Sequence, residues 1–86
     1  MNTIKILYFA RLREAFACAE ENVALPADIQ NVAGLIAWLA ARGGVWADEL
    51  GGKRVFRVAI NRDMVRPDAL IPLGAEVAIF PPVTGG

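Results

Sequence analysis

One stretch of helical periodicity has to cover every strand this chain can make. Asn31 is a good N-cap, and Val32, Leu35, Ile36 and Leu39 follow at the spacing of an apolar helical stripe. The pattern predicts a helix from Asn31 to about Arg42, stopped by Gly43-Gly44. Gly34 inside it costs about 1 kcal/mol relative to alanine. Trp38 on this helix could pack at the edge of the core or lie on the surface.

The rest of the sequence alternates. Thr3 to Phe9 is β-branched and aromatic and reads as a strand, with Ile4, Ile6 and Tyr8 on one face. Arg11 to Ala17 suggests a short helical turn. Glu21 to Leu25 is a second strand, closed by Pro26. Val45 to Gly52 reads as a loop with room for one helical turn around Asp48. Arg54 to Ile60 alternates again, and Asn61-Arg62-Asp63 turns it into a brief strand at Met64-Val65. Pro67 to Gly74 is irregular, with Leu70, Ile71 and Leu73 expected to anchor it. Glu76 to Phe80 is the last strand. The order predicts an α+β domain in which one main helix covers one face of a small mixed sheet, the arrangement of a β-grasp, ubiquitin-like fold. The expected core is Ile4, Ile6, Tyr8, Phe56, Val58, Ile60, Val77 and Ile79 against Val32, Leu35, Ile36 and Leu39.

No helix is left for the other sheet face. By alternation it carries Lys5, Leu7, Phe9, Val55, Arg57, Ala59, Glu76, Ala78 and Phe80. Burying a phenylalanine stabilises a domain by ~1.5–3 kcal/mol, so two wet ones forgo much. Either Phe9 and Phe80 centre a docking surface, or the Arg11–Ala17 segment folds over them.

Composition removes several function classes. Eighty-six residues allow one small domain, and 56% of them are hydrophobic. Some apolar surface is therefore expected outside the core, at a partner interface. Nine basic residues balance nine acidic ones, which leaves no electrostatic footprint for nucleic acid or an anionic membrane. There is no histidine, so the usual general base and metal ligand are missing, and no metal site is expected. Cys18 is the only cysteine and fits a reducing compartment. It reads as a small buried residue more readily than as a persulfide relay. Glu20-Glu21 and Asp48-Glu49 read as solvated faces. No apolar run is membrane-length, and no leader and a cytoplasmic location are expected.

The chain closes on Pro81-Pro82-Val83-Thr84-Gly85-Gly86. Residues 1–80 are expected to form the domain and 81–86 an extended, flexible tail. The prolines lack amide hydrogens and favour an extended path, while the two glycines carry no side chain to obstruct a narrow channel. Fully extended, six residues reach roughly 20 Å. Such an arm is suited to placing a carboxylate in another protein's active site. That carboxylate is ionised at neutral pH, with a usual pKa of about 3.3–3.7, and is a poor electrophile until it is activated, for example as an acyl-adenylate. A sulfur nucleophile can then displace the nucleotide and leave a thiocarboxylate. The chain has no G-x-x-x-x-G-K and no G-x-G-x-x-G, so the activating machinery must belong to another protein.

Three segments resemble the small subunit of molybdopterin synthase, the ubiquitin-like sulfur carrier of molybdenum cofactor synthesis. They are Ile6-Leu7-Tyr8-Phe9-Ala10-Arg11-Leu12-Arg13-Glu14, Ala59-Ile60-Asn61, and Glu76 through Phe80 with the tail to Gly86. The resemblance implies that a partner adenylyltransferase uses ATP to activate Gly86 and that a sulfur donor converts it to the thiocarboxylate. The tail then gives its sulfur to cyclic pyranopterin monophosphate in the large subunit, and two transfers build the dithiolene. It also implies a heterotetramer of two small and two large subunits, with catalytic acids and bases on the large subunit and no permanently bound cofactor. Phe9, Arg13 and Phe80 would lie at the partner interface, and Met64 would join the apolar contact with the activating enzyme. Two departures stand out: Ala17-Cys18-Ala19 occurs where the family often has glycine, and Gly34 replaces a stronger helix former.

Two other readings are open. The chain could carry sulfur for thiamin thiazole formation, although such carriers tend to lack the Phe-Pro-Pro-Val-Thr run. It could also be a β-grasp interaction module or a modifier conjugated to lysines, with Lys53 a weak candidate for such a link.

Overall fold

A computed structural model describes residues 2–52 and 54–82. Five strands form one mixed sheet: β1 (Asn2–Tyr8), β2 (Glu20–Leu25), β3 (Arg57–Ile60), β4 (Asp63–Met64) and β5 (Glu76–Phe80), in the order β2-β1-β5-β3-β4. β1 and β5 run parallel at the centre, and every other pairing is antiparallel. The main helix, α2 (Val32–Ala40), buries Val32, Leu35, Ile36 and Leu39. Two short helices, α1 (Ala10–Phe16) and α3 (Val45–Leu50), complete the layer. This is the β-grasp arrangement expected from the element order.

The helical stripe works as the spacing predicts. Asn31 caps α2 by accepting a hydrogen bond from the Gly34 amide at 2.9 Å. A Cβ on Gly34 would stand 3.2 Å from that cap oxygen, so a side chain there would need the cap to shift by a few tenths of an ångström. The helix ends at Ala40, two residues before Arg42, and Gly43 then takes a positive φ of 80° that a side chain would resist.

The core holds Ile4, Ile6, Tyr8, Val58, Ile60, Val77 and Ile79 from the sheet. Phe56 departs from expectation: it is only half-buried and precedes β3. The strand starts at Arg57 because Arg57 pairs with Phe80, the last residue of β5, so residues 54–56 have no strand beside them. The Pro67–Gly74 segment is also corrected. Ile71 is buried, but Leu70 and Leu73 are 71% and 86% exposed. The Ile71 amide donates to the Gln30 carbonyl and turns that side chain inward, which sends Leu70 outward; Leu73 lies in the turn closed by the Ala75 amide on Pro72.

Val45–Leu50 forms a real helix because Trp46 anchors it. Its ring stacks on Phe16 with centroids 3.8 Å apart, and Tyr8 meets both rings edge-on. The Arg42 guanidinium lies 4.4 Å from the Trp46 ring centroid and 5.8 Å from that of Trp38, which is half-buried.

Candidate functional site

Among the described residues, no helix lies over the sheet face opposite α2. Strand pairing arranges its side chains in rows. Leu7, Ala78, Ala59 and Met64 lie side by side across four strands, and Phe80 lies opposite Arg57 in the row nearer the tail. Phe9 joins that second row: its amide donates to the Ile79 carbonyl, and its ring meets Phe80 edge to face at 6.4 Å. Phe9 is 44% exposed and Met64 59% exposed.

The alternative in which the Arg11–Ala17 segment folds over Phe9 and Phe80 does not hold. α1 turns its apolar side chains, Leu12 and Phe16, into the core on the helical side of the sheet. The Phe16 stack with Trp46 fixes that direction. Phe9 itself occupies the N-cap position of α1 in extended conformation, so it is left on the open side.

Of the residues expected at a partner interface, Phe9 and Phe80 are therefore adjacent. Met64 lies on the same sheet face, on the edge strand. Arg13 is exposed on α1, four residues beyond Phe9. Arg57 was read as a face residue but not as part of the site; its register opposite Phe80 places it there. Alternation carried that signal, but the pairing of β3 with β5 was needed to use it. Pro81 and Pro82 are half-buried and follow directly from β5, the most enclosed strand, whose Val77 and Ile79 are fully buried. Pro81 and Pro82 thus continue directly from the centre of the sheet. Val83, Thr84, Gly85 and Gly86 lie outside the described residues, as does Lys53.

The acidic pairs need correction. Glu20 is a solvated residue beside Lys5, and Asp48 is exposed. Glu21 is not solvated in this way: it accepts a 2.6 Å bond from the Tyr8 hydroxyl and two bonds from Arg42, at 3.0 and 3.1 Å. Burial pushes the Glu21 carboxyl up, but the bonds from Arg42 and Tyr8 outweigh it and hold the group below the usual range. Burial, and then the Glu21 carboxylate, push the Tyr8 phenol well above its usual value. Glu49 is buried between Arg11 at 3.2 Å and Arg54 at 3.8 Å. Both acids bind arginines distant in sequence, so local pattern could not find them. No cluster of three metal-ligating side chains occurs among the described residues. Cys18 is half-buried, and its thiol donates to the Glu20 carbonyl. No helix among the described residues is long and apolar enough to cross a membrane.

Comparison with known proteins agrees with this fold. The ThiS family matches residues 6–86. The chain is 40% identical over 83 residues to the molybdopterin synthase sulfur carrier subunit of Escherichia coli (strain K12), covering 96% of this chain and 99% of that protein. Its fold superposes on SAMP1 from Haloferax volcanii with a TM-score of 0.74 at 23% identity, over 99% of this chain and 100% of the other. It also superposes on a chain of the complex of subunits 1 and 2 of molybdopterin-converting factor from Helicobacter pylori 26695. That match has a TM-score of 0.67 at 19% identity, over 98% of this chain and 99% of the other.

Proposed function

The chain belongs to the ThiS family, among the sulfur carrier subunits of molybdopterin synthase, and we propose that its Gly86 carries sulfur as a thiocarboxylate. An adenylyltransferase joins the Gly86 carboxylate to AMP from ATP, releasing pyrophosphate. A sulfur donor then displaces AMP and leaves the thiocarboxylate. The arm delivers this nucleophile to cyclic pyranopterin monophosphate in the large subunit, and two deliveries complete the dithiolene.

The division of labour follows from chemistry. A carboxylate must be activated before sulfur can replace its oxygen, and this sequence has neither a phosphate-cradling loop nor a histidine. ATP and the catalytic acids and bases therefore belong to the partners. What this chain supplies is a carrier group, an arm and a surface that aims the arm. Phe9, Phe80, Met64 and Arg13 form the partner-facing set, and residues 81–86 act as an extended tail beyond the domain of residues 1–80. The working unit is a heterotetramer with two large subunits.

The observation that carries the reading is the conjunction of 40% identity along nearly the whole chain with an uncovered aromatic pair at the root of a di-glycine tail. Reconstitution tests it. Thiocarboxylated chain, large subunit and cyclic pyranopterin monophosphate should yield the dithiolene product, and thiazole formation should not be supported. Sulfur delivery to the thiazole pathway, or a ladder of lysine conjugates instead, would replace it with one of the other two readings.

A further inference from the structure

Beside the open face runs a second apolar surface. A groove of about 840 Å³ separates α2 from the free edge of the sheet. Ala33, Ile36 and Ala37 form its helical wall, and Met64 and Val65 form the opposite lip. Three features say what fits it. First, among the described residues β4 pairs only with β3, so its outer edge offers backbone groups to an added extended segment. Second, among the described residues the only charged ones lining the groove are Arg57 and Arg66, both exposed and neither in an ion pair there. Third, Met64 and Arg57 belong at once to the groove and to the open face, so the two surfaces are continuous.

We propose that this groove seats an extended apolar segment bearing carboxylates, supplied by the same large subunit that docks on the open face. The proposal rests on the docking reading above. The apolar part of the segment lies along Ile36 and Val65 and leaves water, and its carboxylates meet Arg57 and Arg66. The small side chains at Ala33 and Ala37 leave the helical wall low enough for it to approach.

The test compares affinities for the purified large subunit by calorimetry. Ala37 is an exposed helix position, so A37E and A37K should both fold, and thermal melts check this. A37E places a like charge against the incoming carboxylates and should weaken binding roughly tenfold or more, while A37K should hold or strengthen it. R66E should weaken it as A37E does. If A37E and R66E bind as the unmodified chain does while Phe80→Ala loses affinity, the groove proposal is overturned and docking on the open face stands. Equal losses for A37E and A37K would overturn the acidic character of the segment. If Phe80→Ala also leaves binding unchanged, the docking reading itself fails.

Discussion

Phe9 and Phe80 meet edge to face at 6.4 Å on the uncovered side of the sheet, one at the end of each central parallel strand. The contact joins the start of α1 to the last residue of β5. An aromatic pair of this kind contributes about 0.5–1.5 kcal/mol beyond area burial, yet Phe9 keeps 44% of its surface in water. The domain therefore leaves a large apolar contribution unused in the isolated chain, at the point from which the tail departs.

Replacing Phe80 with alanine should separate binding from folding. Central aromatic anchors at interfaces are worth about 2 kcal/mol or more, so affinity for the large subunit should fall roughly 30-fold. The melting temperature should fall proportionately less, because Phe80 is only half-buried. Calorimetry beside a thermal melt measures both. A melt that collapses with binding intact would place Phe80 in the core.

Ala17 closes α1 in the left-handed region, with φ 52° and ψ 38°. Its amide donates to the Glu14 carbonyl and the Cys18 amide to the Arg13 carbonyl, the paired bonds of a Schellman end. A residue with a Cβ pays about 1–2 kcal/mol there, and glycine returns part of that through the freedom of its unfolded chain. Ala17→Gly should stabilise by about 0.5–1 kcal/mol and raise the melting temperature by a few degrees. Equal or lower stability would contradict the assignment of strain.

Glu21 makes stability sensitive to acid. Its folded-state pKa is depressed, so its contribution is fully present above the ordinary glutamate value of about 4.3 and is lost as pH falls from there through the folded value. Chemical denaturation between neutral pH and strongly acidic pH should show this loss. Glu21→Gln should be less stable at neutral pH and flatter across the acid range. An acid slope unchanged in the glutamine variant would assign the sensitivity to other carboxylates.

Removing Gly86, or adding a residue after it, should abolish sulfur transfer and leave the melting temperature within about a degree. The last strand ends at Phe80, so the described fold does not depend on the final residues. Parallel melts and dithiolene assays check this. A substantial loss of stability would show that the terminus does more than carry.

Much of this architecture is legible in the sequence because it follows from local periodicity. The cap at Asn31, the stripe through Leu39 and the alternation in β1 and β5 each commit their residues to one face. Phe9 and Phe80 could be placed on the uncovered face by the same alternation. What stayed hidden depends on partners far along the chain. The late start of β3 at Arg57 is set by where β5 stops. The burial of Glu49 follows from Arg11, 38 residues away, and the anchoring of α3 from the contact of Trp46 with Phe16. The outward turn of Leu70 depends on a backbone bond from Ile71 to Gln30, and that of Leu73 on the turn closed by Ala75 on Pro72, neither of which composition can reveal.

The central claim is that Gly86 is the sulfur-carrying atom's attachment point. Intact and peptide mass spectrometry of the chain, after co-expression with its activating enzyme and sulfur donor, measures this directly. The C-terminal peptide should be heavier by the difference between a sulfur and an oxygen atom, with the change confined to Gly86. A C-terminal peptide of unmodified mass under conditions that support dithiolene synthesis, or sulfur found on Cys18 instead, would contradict the account.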